Sequence, residues 1–167
     1  MSTDFQCRSC GEQHSGLPSA FHTEAPAYWR PELDGAPGSE LGSDQCVIDG
    51  EHFFVRGLIE LPVIGTADTF VWGVWVSLSQ ESFQHISDRW FAEGREADPP
   101  YFGWLSTELD YSPSTLNLKT NLHSRPVGER PLIELEPTDH PLAVEQRDGI
   151  TAARAQEIAE RLLHPNS

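Results

Sequence analysis

Two cysteines at the start of the chain, Cys7 and Cys10, are separated by Arg8 and Ser9 and followed by Gly11 and His14. Thiolates at that spacing can grip one tetrahedral ion, and glycine after the second lets the chain turn tightly around it. The only other cysteine is Cys46. Three sulfurs and one imidazole make a closed structural zinc site, so the expected metal ligands are Cys7, Cys10, His14 and Cys46. His22 and His52 compete with His14 for the fourth position. A redox reading of Cys7 and Cys10 is disfavoured, because no βαβ pattern surrounds the pair. A three-sulfur site with an open position could activate water, yet no carboxylate can be assigned as its base.

Five tryptophans and eight phenylalanines suggest a second chemistry. Trp72, Trp75, Trp90, Trp104 and Tyr101 could line an aromatic pocket, although large aromatics more often fill cores. Gly57 and Gly73 could face one another across a hairpin and leave a shallow floor for a ring. His140, before Pro141, could serve as a base, with His123 and His164 elsewhere. No G-x-S-x-G, H-E-x-x-H or phosphate-binding glycine loop accompanies them, so no catalytic residue is assigned. Arg56 and Glu60 share one strand face and are expected to pair, while Arg130 has no partner visible in the sequence.

Composition bounds the partners. With 26 acidic and 11 basic side chains the net charge is −15. Such a field repels phosphates, so neither duplex DNA nor an anionic membrane is expected, and a basic protein is the favoured partner. No apolar run approaches membrane-spanning length, and the first residues lack the pattern of a signal peptide. Three cysteines cannot all pair within one chain, which points to a reducing, cytoplasmic setting.

The elements that must position these residues divide in two. Residues 1–45 are broken by Gly16-Leu17-Pro18, by prolines at 26 and 31, and by Asp34-Gly35-Ala36-Pro37-Gly38, and so read as a loop-rich segment. A metal clip from Cys7 and Cys10 to Cys46 would close that loop. Residues 46–167 read as an α+β body. A turn at Asp49-Gly50 leads to a strand over 53–63, and Gly65 turns the chain into a second over 69–76. Trp72 is placed in the core, and Trp75, facing the other way, under the N-terminal segment or lining a pocket and less buried. Ser79 caps a helix ending near Gly94. Strands follow over 101–107, 115–123, 131–136 and 142–146, and Thr151 caps a final helix. The whole reads as a single domain, 1–167, with a mostly antiparallel sheet and two helices.

The blocks Cys7-x-x-Cys10-Gly11-x-x-His14, Leu17-Pro18, Asp44-x-Cys46-Val47-Ile48-Asp49, Phe54-x-Arg56-Gly57, Trp72-Gly73-x-Trp75-Val76, Phe102-Gly103-Trp104-Leu105 and Asp139-His140-Pro141-Leu142 occur in this order. In combination they resemble a bacterial domain-of-unknown-function family, the one numbered two-one-nine-nine. The resemblance implies a complete bacterial domain of cytoplasmic type and implies no activity. The favoured reading is a small acidic protein that binds another protein, with a structural zinc. The alternatives are a metal- or thiol-dependent enzyme and a small-ligand module with an aromatic pocket.

Overall fold

A computed structural model describes the backbone of Phe5–Gln6 and Gln13–His14 and all of residues 20–163. In chain order the strands are β1 (Phe5–Gln6), β2 (Gln13–His14), β3 (Ala20–His22), β4 (Glu40–Leu41), β5 (Gln45–Ile48), β6 (His52–Pro62) and β7 (Thr69–Leu78). Then come helix α1 (Gln80–Asp88), strands β8 (Tyr101–Leu105), β9 (Lys119–His123) and β10 (Leu132–Leu135), and helices α2 (Pro141–Asp148) and α3 (Ala152–Leu163). The fold is α+β.

Antiparallel pairing runs β6–β7–β8–β9–β10, and β10 returns parallel to β6 through Leu132 and Leu58, closing a five-stranded barrel. The Leu58 amide donates to the Pro131 carbonyl at 2.9 Å and reinforces that closure. β3 adds in parallel to β7, and β5 and β4 extend antiparallel from β6. The expected sheet is therefore antiparallel except at two junctions, and its closure into a barrel was not foreseen.

The long β6–β7 hairpin alternates strictly, as period-two patterning requires. Its inner residues Val55, Ile59, Leu61, Phe70, Trp72, Val74 and Val76 join α1, α2 and α3 in the main core. Its outer residues Phe54 and Trp75 build a second core with Leu33, Cys46 and Ile48, flanked by Trp29 and Leu41. Trp75 thus lies under the N-terminal segment as expected. The expectation that it is the less buried of the pair is corrected: Trp75 is 0% exposed and Trp72 3%. The 29–48 stretch covers it as fully as the helices cover Trp72.

Two further expectations fail on local grounds. Residues 142–146 belong to a helix, because the His140 side chain accepts from the Leu142 amide as an N-cap and Pro141 takes the first turn, where its missing N–H costs nothing. Three helices therefore stand where two were expected. Ser79 does cap α1, accepting from the Ser82 amide, but the helix stops at Asp88, and Gly94 instead turns with φ 83° into a short 3₁₀ turn at Arg95–Ala97. Thr151 accepts from the Arg154 amide at the start of α3.

Candidate functional site

The open chemistry of the molecule lies on the outer side of β5–β6–β7 and along the neighbouring edge of β8. At the β5–β6 turn Asp49 and Gly50 both take positive φ, and Ser39 and Gly38 hold their amides. His52 follows at the start of β6. Across from this turn, the Ala27 amide donates to the Ser106 carbonyl at 2.8 Å, tying the 26–30 stretch to the end of β8. Tyr28 then stacks on Phe54, ring centroids 6.1 Å apart, and donates its hydroxyl to Asn117 Oδ1 at 3.2 Å. Trp104 points outward from β8 opposite Ser77 and Lys119, edge-on to Phe102 at 5.2 Å.

Between them lies a cleft of about 870 Å³, walled by Tyr28, Phe54 and Trp104 and edged by Arg30, Asp49, His52 and Asn117. Tyr28 is 43% and Trp104 41% exposed. Of the aromatics expected to line a pocket, only Trp104 lines this one. Trp72, Trp75 and Tyr101 are buried, and Trp90, which packs against the Arg95 guanidinium at 5.5 Å, lines two smaller clefts instead. Tyr28, Arg30 and Asn117 were missed; the tyrosine between closely spaced prolines was the one available signal.

The glycine floor does not form. The register pairs Gly57 with Val74 and Gly73 with Leu58. Ile133 fills the space over Gly57 on the inner side, where an added Cβ would come within 2.6 Å, and His22 covers Gly73 on the outer side.

Among the expected metal ligands, Cys7 and Cys10 lie outside the described residues. The β1–β2 ladder brackets residues 7–12 and sets Phe5 opposite His14. Cys46 is buried on the outer side of β5, opposite Phe54, and burial pushes its thiol up to about 11. Its relation to Cys7, Cys10 and His14 lies outside the described residues. His22 and His52 differ as rivals of His14. His22 stands three strand spacings from Cys46 and four positions along, about 14 Å by about 13 Å, too far to share a tetrahedral ion. His52 is one spacing and two positions away, about 5 Å by about 7 Å. Among the described residues no three His, Cys, Asp or Glu side chains cluster as a metal group.

The histidines considered as bases are otherwise engaged. His140 accepts from Leu142 at Nδ1, and its Nε2 lies 2.8 Å from the Pro113 carbonyl, which makes it a structural cap. His123 contacts Glu134 at 3.1 Å, and His164 lies outside the described residues. The expected Arg56–Glu60 pair is replaced: Glu60 binds Arg125 at 2.5 Å, while Arg130 finds Asp44 at 3.0 Å. Tyr111, from the loop after β8, donates to Glu145 of α2 at 2.5 Å, Glu145 binds Arg154 of α3 at 2.8 Å, and burial with Glu145 raises the Tyr111 pKa strongly.

The family model described as "Uncharacterized protein conserved in bacteria (DUF2199)" matches residues 6–150. The chain belongs to this family. The matched DUF2199 stretch contains the barrel, both hydrophobic cores' strands and every residue of the cleft. No curated protein and no solved structure matches the chain. Among the described residues no helix is long and apolar enough to cross a membrane.

Proposed function

We propose that this DUF2199 protein acts by binding a basic partner protein through the Tyr28–Trp104 cleft, and that one zinc ion held by Cys7, Cys10, His14 and Cys46 pins its N-terminal segment. The observation that carries the binding reading is the cleft itself, with two half-exposed rings on a chain of net charge −15. Ring faces attract ammonium and guanidinium groups, and the acidic field raises the local concentration of cationic segments. Asp49 at the cleft edge supplies a carboxylate for the same groups. A reducing cytoplasm would keep the three thiols available to the metal.

The zinc part rests on the sulfur and imidazole set, and on the two-residue length of the β1–β2 ladder, which is too short to stand alone without a clip. Protein purified without chelator is expected to carry about one zinc per chain. Elemental analysis finding none, or full occupancy in Cys46→Ala, would remove the four-ligand reading. For the cleft, a matched panel of lysine-rich and glutamate-rich peptides is titrated against wild type, Tyr28→Ala and Trp104→Ala. Basic peptides should bind with a salt-sensitive affinity that falls about tenfold in either variant. Equal binding of acidic and basic peptides, or unaltered binding by Trp104→Ala, would overturn the reading. Binding of free aromatic cations without any peptide dependence would move it to a small-ligand module.

A further inference from the structure

Arg56 sits on the outer side of β6 opposite Trp75, with its guanidinium carbon 5.7 Å from the indole centroid. It is 9% exposed. Its one side-chain hydrogen bond among the described residues runs from Nη1 to the Ser43 carbonyl at 3.1 Å, and its Nε is buried with no partner there. No carboxylate of the described residues forms an ion pair with it. Asp44 accepts the Arg56 amide on its backbone carbonyl but gives its carboxylate to Arg130.

A buried guanidinium without a counter-charge is costly, because it forfeits hydration and recovers little. The surroundings add to that cost. Arg130 opposes the charge of Arg56, and His22, exposed at the end of β3 beside Gly73, has its pKa lowered by partial desolvation and by the fields of Arg56 and Arg130. Two guanidiniums and an imidazole thus act on one another on the outer side of a strongly acidic chain. Asp44 and Glu24 partly offset that charge without forming an ion pair with Arg56.

We propose that Arg56, flanked by His22 and Arg130, is a binding position for an oxyanion, a carboxylate or phosphate group carried by a ligand or partner. Two oxygens of such a group match the guanidinium edge, and the bond to Nε would satisfy the donor that the described residues leave unpaired. The position lies one outward residue along β6 from Phe54, which walls the cleft. The inference does not rest on the cleft's being occupied.

The experiment uses the full chain at constant ionic strength set with chloride, with inorganic phosphate and succinate as probes. Binding is read from the arginine Nε–H resonances and from thermal unfolding. Millimolar phosphate or succinate should shift one arginine Nε–H signal, that of Arg56, and raise the melting temperature. Arg56→Met should lose at least about tenfold in affinity, and Arg147→Met, which changes only an exposed charge beside Asp148, should lose none. The tighter of the two probes identifies the group. Arg56→Lys, which keeps the charge without the planar edge, should show the same loss of affinity. Chloride acting as well as either probe, or retention of binding by the Arg56 variants, overturns the proposal. So does a large loss of stability of Arg56→Met in anion-free buffer, which would show that a carboxylate of the chain already holds the guanidinium.

Discussion

Arg95 and Arg56 are both buried, 6% and 9% exposed, and neither forms an ion pair among the described residues. They solve the problem of a buried cation in opposite ways. Arg95 spends its fork on four carbonyls: Nε on Arg125, Nη1 on Trp90, and Nη2 on Pro126 and Glu129. It knits the turn after α1 to the loop before β10, and the Trp90 ring shields it. Arg56 has one carbonyl and an orphaned Nε. The difference separates a guanidinium consumed by the fold from one left available to something outside it. The same division runs through the molecule. The inner side of the β6–β7 hairpin is closed by helices, whereas the outer side holds Cys46, Arg56, His22 and the cleft.

The comparison breaks most visibly by removing Arg95. Arg95→Ala strands four backbone acceptors and should lower the unfolding free energy by about 4–5 kcal/mol in urea titrations. Arg56→Met in the same assay should change it by less than about 1 kcal/mol, in either direction, since the charge it removes is uncompensated. Similar losses in the two variants would erase the distinction. Next in size are the tryptophans. Trp75→Ala should cost about 3–4 kcal/mol, close to Trp72→Ala, because the outer layer is a second packed core. A Trp75 variant with near-native stability would mean that residues 29–48 do not seal that face. Smaller still is Tyr111→Phe, which removes the donor to Glu145 and should cost about 1–2 kcal/mol while leaving the cleft's peptide binding unchanged.

The smallest effect concerns Cys46 and pH. Its thiol titrates at about 11 in the folded chain, above its ordinary 9.0, because burial disfavours the thiolate. In zinc-free protein the resulting stabilisation is complete below pH 9 and is lost as pH rises from 9 towards 11. Zinc-loaded protein, with Cys46 already a thiolate ligand, should lack that step. Comparing Cys46→Val with wild type by pH-dependent unfolding isolates it. Identical alkaline profiles in the zinc-free proteins would place Cys46 outside the apolar layer.

How much of this was legible depended on the range of the interaction. The β6–β7 hairpin and the caps Ser79 and Thr151 are written locally, in alternation and in hydroxyl placement, and they stand where the sequence puts them. Helix α2 carried its own signal in His140-Pro141, but the short run 142–146 gave a strand pattern just as readily. The barrel was illegible because one parallel contact, Leu58 to Leu132, closes it. Arg56 and Glu60 were matched by strand spacing, yet Arg125, brought in from the turn before β10, reaches Glu60 first. The cleft depends on Tyr28 meeting Phe54 and Asn117 across the fold, and the spacing between them in the sequence says nothing of it. Cys46 was visible as a residue, while its apolar neighbours Leu33 and Trp75 were not.

The most direct test of a binding protein built on that outer side is amide chemical-shift mapping of the full chain during titration with a lysine-rich peptide. The expected result is a contiguous set of shifts at Tyr28, Arg30, Asp49, His52, Trp104 and Asn117, weakening as salt is raised. Shifts centred instead on α2 and α3, or none at millimolar peptide, would contradict the account.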